Sequence, residues 1–168
     1  MNRRFFLSAL GATWFAGTWL ANAGDESSAD GNMNAKIEKL ELPDAEWRER
    51  LTPDQYRILR KEGTERAGSS PLDKEYREGV FHCTGCDLAL FDSEAKFDSG
   101  TGWPSFFQPI DDAHIATKTD FKLILPRTEY HCARCGGHQG HVFNDGPEPT
   151  GKRYCNNGLA LTFRPASA

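Results

Sequence analysis

The chain has 168 residues, and its 24 acidic side chains outnumber its 20 lysines and arginines, which gives a formal net charge of -4 at pH 7. The length fits one domain of ordinary size, and 11 Phe, four Trp and four Tyr provide apolar volume for a core, which excludes wholesale disorder. The acidic balance argues against a nucleic-acid-binding surface. No heptad or longer repeat occurs in the sequence, which excludes coiled coils and solenoids.

Residues 1–23 have the pattern of an export signal. Arg3 and Arg4 precede the mostly apolar stretch Phe5–Leu20, and the small residues of Ala21–Ala23 match a cleavage site. The paired arginines, followed by two phenylalanines and a leucine, resemble a twin-arginine signal. We therefore expect an exported, periplasmic protein that meets a membrane only through this signal. An uncleaved membrane anchor is the alternative, although the apolar stretch is short for a span.

The segment of residues 24–43 predicts a flexible linker and a lead-in to the fold, because its first part is small and polar. The folded domain is expected over residues 44–165. It opens with a short helix over Ala45–Leu51, for which Asp44 is the candidate N-cap.

A second helix is expected over Pro53–Glu62, ending at Gly63. Thr52 and Gln55 have the spacing of a capping box, and a proline occupies the first helical position. After this helix, short apolar runs alternate with turn residues, which predicts an α+β domain that is mainly antiparallel β. These runs are Gly79–His82, Leu88–Phe91, Phe121–Leu125, Tyr130–Cys132, Val142–Phe143 and Leu159–Phe163.

Four of the five cysteines form two C-x-x-C pairs, Cys83 with Cys86 and Cys132 with Cys135. Each turn of this type can direct two sulfurs at one point, and Zn²⁺ favours four thiolates in closed structural sites. The sequence therefore predicts a structural zinc site that joins distant parts of the domain. Disulfide bonds are the alternative, since export leads to an oxidising compartment.

The remaining cysteine, Cys155, is a candidate nucleophile. On an extended strand, side chains alternate between faces, so Arg153 and Asn157 are expected on the same face as Cys155. The guanidinium favours the thiolate, which is the reactive form of cysteine, and the amide offers a hydrogen bond beside it. The alternative is an inert cysteine in the core.

Two further clusters bear on this choice. His138 and His141 lie in a glycine-rich segment that is expected to form a turn, and they are candidates for proton transfer, hydrogen bonding or metal binding. Within the aromatic segment Ser99–Phe107, Trp103 stands between a glycine and a proline. That tryptophan either forms the wall of a small apolar pocket or belongs to the core.

Taken together, these motifs resemble the B class of peptide methionine sulfoxide reductases, which act on methionine-R-sulfoxide. The resemblance extends from about Asp44 to Pro165. Its motifs are Leu51–Arg57, the two C-x-x-C pairs, Lys96–Gly100, Gly102–Phe106, Gly137–Phe143 and Arg153–Cys155.

The resemblance implies a fold of two small antiparallel sheets with N-terminal helices and one structural zinc ion. It implies that Cys155 attacks the sulfoxide sulfur and becomes a sulfenic acid. The other residues that it implies are Trp103 and Phe106 for substrate binding, and His138, His141, Asn157, Asp145 and Arg153 for catalysis.

The chain departs from the family pattern at three positions near the nucleophile. Many members have a second, resolving cysteine where this chain has Thr101, and the usual Ile or Val and Ser are replaced by Asn156 and Gly158. We therefore expect an external thiol reductant, thioredoxin-like or another, to recycle Cys155 directly.

The expected partners are this reductant and oxidised proteins that carry methionine-R-sulfoxide, and we expect a monomer that binds no nucleic acid. Two other functional classes stay open: a non-catalytic, zinc-ribbon-like binding module and a thiol–disulfide oxidoreductase that uses a C-x-x-C pair. Metal content and dependence on Cys155 discriminate among the three.

Overall fold

A computed structural model describes residues 37–121 and 126–167 of the chain. The proposed signal and most of the linker lie outside these residues. Within them, no helix is both long and apolar enough to cross a membrane. The described elements are α1 (Asp44–Arg50), α2 (Pro53–Lys61), β1 (Gly79–Cys83), β2 (Ala89–Asp92), β3 (Lys96–Phe97), β4 (Ser105–Phe106), β5 (Ile115–Asp120), β6 (Arg127–Cys132), β7 (His138–Phe143), β8 (Arg153–Asn156) and β9 (Leu161–Pro165).

The two helices begin differently from each other. The capping box of α2 is confirmed: the Thr52 hydroxyl accepts from the Gln55 backbone N–H at 3.3 Å, and the Gln55 side chain accepts from the Thr52 N–H at 3.0 Å. The prediction of Asp44 as N-cap of α1 was wrong, because Pro43 holds that position. The Asp44 carboxylate instead accepts hydrogen bonds from the side chains of Arg48 and Tyr56, at α1 and α2.

The strands form two antiparallel sheets, as expected. One has the order β2-β1-β9, and the other has the order β3-β4-β8-β7-β6-β5. One hydrophobic core contains buried residues of both helices and both sheets, including Trp47, Leu59, Phe81 and Tyr130. The predicted α+β fold with two small antiparallel sheets is confirmed.

The expected strand Phe121–Leu125 is not confirmed. Strand β5 ends at Asp120, which pairs with Arg127 at the start of β6. Phe121 follows outside any strand with 74% of its surface exposed, and residues 122–125 lie outside the described part of the chain. Of the predicted strand, the structure describes only Phe121, and that residue is neither buried nor in a strand.

The glycine-rich segment around the two histidines is a strand, not the turn that its composition suggested. Gly140 lies within β7 and pairs with Asn156 of β8. A Cβ atom at this position would lie 1.9 Å from the carbonyl oxygen of Cys155. The glycine is therefore required by the close approach of β7 and β8, which places His141 directly opposite Cys155.

Candidate active site and four-cysteine cluster

A cavity of about 270 Å³ opens beside Cys155. Cys155 lies in β8, where it pairs with Ser105 of β4 on one side and with His141 of β7 on the other. Five of the eight expected catalytic and substrate-binding residues line this cavity: Trp103, His141, Arg153, Cys155 and Asn157. Arg153, Cys155 and Asn157 thus meet at one cavity, and the thiol is partly accessible rather than sealed in the core.

The positive charge next to the Cys155 thiol belongs to Arg153, which is held in place by Asp145. The Arg153 guanidinium donates to both carboxylate oxygens of Asp145, at 2.9 and 2.8 Å, and lies 4.3 Å from the centre of the Phe143 ring. Burial raises the pKa of the Cys155 thiol above its usual value, while Arg153 and the Thr101 hydroxyl pull the pKa down. The net shift is upward, so Arg153 and Thr101 offset only part of the effect of burial on the thiolate.

His138 is buried next to the cavity rather than in its lining. Its Nδ1 donates to the Glu129 carboxylate at 2.9 Å, and its ring lies 5.6 Å from that of His141. Burial lowers the pKa of His138 more than Glu129 raises it, which favours the neutral ring. The other nitrogen, Nε2, is buried without a partner among the described residues, so it is available as an acceptor.

His141 is held by a carboxylate at the end of β5. Its Nε2 donates to Asp120 at 2.8 Å, and the same oxygen accepts from Arg127 at 2.7 Å. The sequence analysis missed Asp120, Arg127 and Glu129. They face the two histidines because of the pairing of β5, β6 and β7, in which Glu129 is opposite His141. No spacing within a single strand indicates this arrangement.

Besides His138, two of the expected site residues lie outside the cavity lining. Phe106 is fully buried and stacks on Phe91 with ring centres 4.3 Å apart, so it belongs to the core rather than to a substrate pocket. Phe106 lies in β4, which pairs with β3 on one side and β8 on the other, and its side chain is buried. Asp145 is mostly exposed and reaches the site only through Arg153.

Asn157 and Trp103 are connected through Glu65, a buried residue that the sequence analysis did not identify. The Asn157 Oδ1 accepts from the Glu65 backbone N–H at 3.0 Å, and the Trp103 indole N–H donates to the Glu65 carbonyl at 3.2 Å. The second half of the Asn157 amide donates to the Gln139 carbonyl at 2.9 Å. Two residues of the cavity lining, Trp103 and Asn157, are therefore both hydrogen-bonded to the backbone of Glu65.

The four remaining cysteines form a buried cluster. Their Sγ atoms all lie within 4.8 Å of one another, with 3.6 Å between Cys83 and Cys135 and 3.4 Å between Cys86 and Cys132. A disulfide requires about 2.05 Å, whereas four thiolates about 2.3 Å from one zinc ion stand about 3.8 Å apart. The cluster therefore fits a metal ion, and it joins the end of β1 to the end of β6.

Much of the chain is similar to known proteins. A SelR domain model matches residues 51–165. The peptide methionine sulfoxide reductase MsrB of Agrobacterium fabrum is 50% identical over 127 residues, which are 76% of this chain and 94% of that protein. The MsrB of Leptospira interrogans is 48% identical over 132 residues, or 79% of this chain and 98% of that protein. The chloroplastic peptide methionine sulfoxide reductase B1 of Oryza sativa is 54% identical over 124 residues, or 73% of this chain and 58% of that protein.

Proposed function

Because the chain belongs to the SelR domain family of MsrB peptide methionine sulfoxide reductases, we infer that it reduces methionine-R-sulfoxide in oxidised proteins to methionine. The observation that carries this conclusion is the family match over residues 51–165, within which Cys155 lies in a cavity beside Arg153 and Asn157. A non-catalytic zinc-ribbon module would not need this thiol in a cavity beside a guanidinium.

The proposed chemistry is an oxygen transfer between two sulfur atoms. The Cys155 thiolate attacks the sulfoxide sulfur and the oxygen takes up a proton, which gives an intermediate with a bond between the two sulfurs. The hydroxyl group then moves from the substrate sulfur to the Cys155 sulfur as the sulfur–sulfur bond breaks. Methionine leaves with its sulfur reduced, and Cys155 becomes a sulfenic acid. No water is consumed, because the oxygen of the substrate ends on the enzyme sulfur.

The cavity residues have separate tasks in this step. Arg153 favours the thiolate, and Asn157 presents an amide N–H to the sulfoxide oxygen. His141, held by Asp120, together with the buried ring of His138, binds that oxygen or an intervening water while it acquires its proton. Selectivity follows from shape, because only one epimer presents its sulfur to Cys155 when its methyl group contacts Trp103.

We expect Trp103→Ala to lower kcat/KM for a methionine-R-sulfoxide peptide roughly 10- to 100-fold, because the apolar contact with the methyl group is lost. Trp103 is only partly buried, so the free energy of unfolding should fall by about 1 kcal/mol or less. Steady-state kinetics and chemical denaturation measure the two effects. Trp47→Phe, in the core, is the control and should change stability but not kcat/KM. If Trp103→Ala lowered kcat/KM only in proportion to its loss of stability, Trp103 would be a core residue and not a wall of the pocket.

The pH dependence should follow the thiolate of Cys155. Arg153 lowers the pKa of this thiol, so Arg153→Met should raise it further and reduce the thiolate fraction at pH 7 by about tenfold per unit of pKa. The alkylation rate of Cys155 with iodoacetamide, followed from pH 6 to 11, should show its rising limb displaced to higher pH. Arg164→Met, at an exposed ion pair with Asp87, is the control. An unchanged midpoint in the Arg153 variant would contradict the assigned role.

We propose that recycling uses an external reductant without an internal disulfide. Thr101 replaces the resolving cysteine of many relatives, and the other four cysteines are buried in the cluster. A thiol of a thioredoxin-like or other reductant attacks the Cys155 sulfenic acid, a mixed disulfide forms, and water leaves. A second thiol then breaks that disulfide and restores Cys155.

We propose zinc as the ion of the four-cysteine cluster, because four thiolates in a closed, buried arrangement are its preferred structural ligands. When bound, zinc supplies a cross-link between the two sheets and no open position for substrate. Residues Cys83, Cys86, Cys132 and Cys135 would hold it.

We also propose that the chain is exported by a twin-arginine signal, which rests on Arg3, Arg4 and the apolar residues that follow them. Replacing both arginines with lysine should retain the full-length protein in the cytoplasm of the host bacterium, as measured by cell fractionation. Unchanged periplasmic recovery of the double variant would argue against this route.

A further inference from the structure

A single helical turn follows the nucleophile strand, a 3₁₀ turn over Gly158–Ala160. Asn157 is its N-cap residue, and asparagine is among the residues that most favour this position because the side chain can accept from the turn. Here the Asn157 side chain makes no capping hydrogen bond. Another residue must therefore satisfy the backbone N–H groups of the turn.

That residue is Glu65, which lies just after α2 and far away in the sequence. Its Oε1 accepts from the Gly158 N–H at 2.6 Å, and its Oε2 accepts from the Leu159 N–H at 3.0 Å. Only 4% of the Glu65 surface is exposed. A buried carboxylate is costly unless it is hydrogen-bonded, and these two contacts meet that need.

A side chain at position 158 would interfere with this arrangement. A Cβ on Gly158 would lie 2.0 Å from the Ser70 hydroxyl oxygen and 3.3 Å from the Glu65 Oε1. Gly158 therefore leaves room for both Ser70 and the carboxylate.

Capping by Glu65 leaves the Asn157 amide free for another task. The Asn157 Oδ1 accepts from the Glu65 N–H, and one Nδ2 hydrogen is donated to Gln139, which together fix the orientation of the amide. The second Nδ2 hydrogen has no partner among the described residues. Since Asn157 lines the cavity beside Cys155, this hydrogen is the donor available to a substrate oxygen.

The same short segment holds the opposite wall of the cavity. The Glu65 carbonyl accepts from the Trp103 indole, and three residues later the Gly68 N–H donates to the Gly102 carbonyl at 2.7 Å. The Glu65 backbone thus contacts both Trp103 and Asn157. The Glu65 carboxylate fastens this segment to the turn that follows the nucleophile strand.

We propose that Glu65 is a positioning residue for the reductase reaction: it caps the turn after Cys155 in place of Asn157, and thereby keeps the Asn157 amide turned toward the sulfoxide. This inference rests on the proposed function. It adds to that function a specific route, in which Glu65 affects turnover through Asn157 rather than by touching the substrate.

A double-mutant cycle tests this route. Glu65→Gln keeps the size of the side chain but turns an amide N–H toward one of the two backbone N–H groups. We expect it to lower kcat/KM for a methionine-R-sulfoxide peptide about tenfold, and to lower it less than twofold when Asn157→Ala is already present. Leu90→Val, in the core of the other sheet, is the control for lost stability and should leave kcat/KM unchanged.

The outcomes separate the proposal from the function on which it rests. A tenfold loss in both backgrounds, or no loss in either, would overturn the role of Glu65 while the wild-type protein stays active. Absence of R-epimer turnover by the wild-type protein would instead refute the proposed function.

A second measurement leaves Glu65 unchanged, so it does not depend on whether a Glu65 variant folds. In the Cys155→Ser protein, nuclear magnetic resonance should show slow hydrogen exchange at the Gly158 and Leu159 amides, which Glu65 caps. Titration with N-acetyl-methionine-R-sulfoxide methylamide should shift one of the two Asn157 Nδ2 hydrogens. Fast exchange at both backbone amides, or no shift of either side-chain hydrogen, would overturn the proposal.

Discussion

Cys155→Ser is expected to lower kcat/KM for methionine-R-sulfoxide by more than about 10³-fold, because a serine hydroxyl is a far weaker nucleophile than a thiolate. The change replaces one sulfur atom with oxygen and alters the side-chain volume little, so the fold should persist. Steady-state kinetics with a dithiol reductant measures the loss, and circular dichroism measures the fold.

The sharpest control for this variant is a cysteine-to-serine change in the cluster. Cys155→Ser should retain the same metal content and thermal midpoint as the wild-type protein, since its thiol lies in the cavity and not among the four buried sulfurs. Substantial residual turnover in the Cys155 variant would assign the nucleophile elsewhere and return Cys155 to the role of a packing residue.

Cys83→Ser is expected to have the opposite profile, with metal lost and stability reduced. Structural zinc sites contribute many kcal/mol of folding free energy, and the cluster joins the ends of β1 and β6 in different sheets. The thermal midpoint should fall by more than about 10 °C, given that a loss of 1 kcal/mol already shifts it by about 3 °C in a domain of this size. Elemental analysis and calorimetry measure the two quantities.

Here Cys155→Ser is the matched control, because it is the same substitution outside the cluster. A Cys83→Ser protein with full metal content and an unchanged midpoint would contradict the zinc proposal. If the wild-type protein contained disulfides at these four cysteines and no metal, the alternative of structural disulfide bonds would be favoured.

Features that depend on local spacing could be predicted from the sequence. The two C-x-x-C pairs, the alternation of Arg153 and Cys155, and the capping box at Thr52 each involve residues within four positions of one another. Such patterns are set by backbone geometry that every chain shares. The sheets themselves required the family resemblance, since composition and periodicity alone favoured only an antiparallel α+β domain.

Features that depend on strand pairing could not be predicted. Glu129 and Asp120 hold His138 and His141 only because β5, β6 and β7 pair in one register. The histidine segment looked like a turn because of its glycines, yet Gly140 serves the close approach of two strands. A single sequence does not state which strands are neighbours, so these contacts are visible only in the structure.

Two further differences have the same origin in tertiary contacts. Asp44 has the composition of an N-cap but is engaged by Arg48 and Tyr56. Phe106 lies in a motif with Trp103, yet strand pairing of β4 turns its ring into the core. In each case the local preference was reasonable, and a partner distant in the sequence or on a neighbouring element decided the outcome.

In the proposed reaction, Cys155 takes the oxygen of methionine-R-sulfoxide and keeps it as a sulfenic acid. Mass spectrometry of the protein after one equivalent of substrate, without reductant and with a sulfenic-acid trap, detects this product. We expect one methionine released per chain, the trapped adduct on Cys155, and no reaction with the S epimer. A stoichiometric disulfide between Cys155 and another cysteine, or unmodified Cys155 with no methionine released, would contradict it.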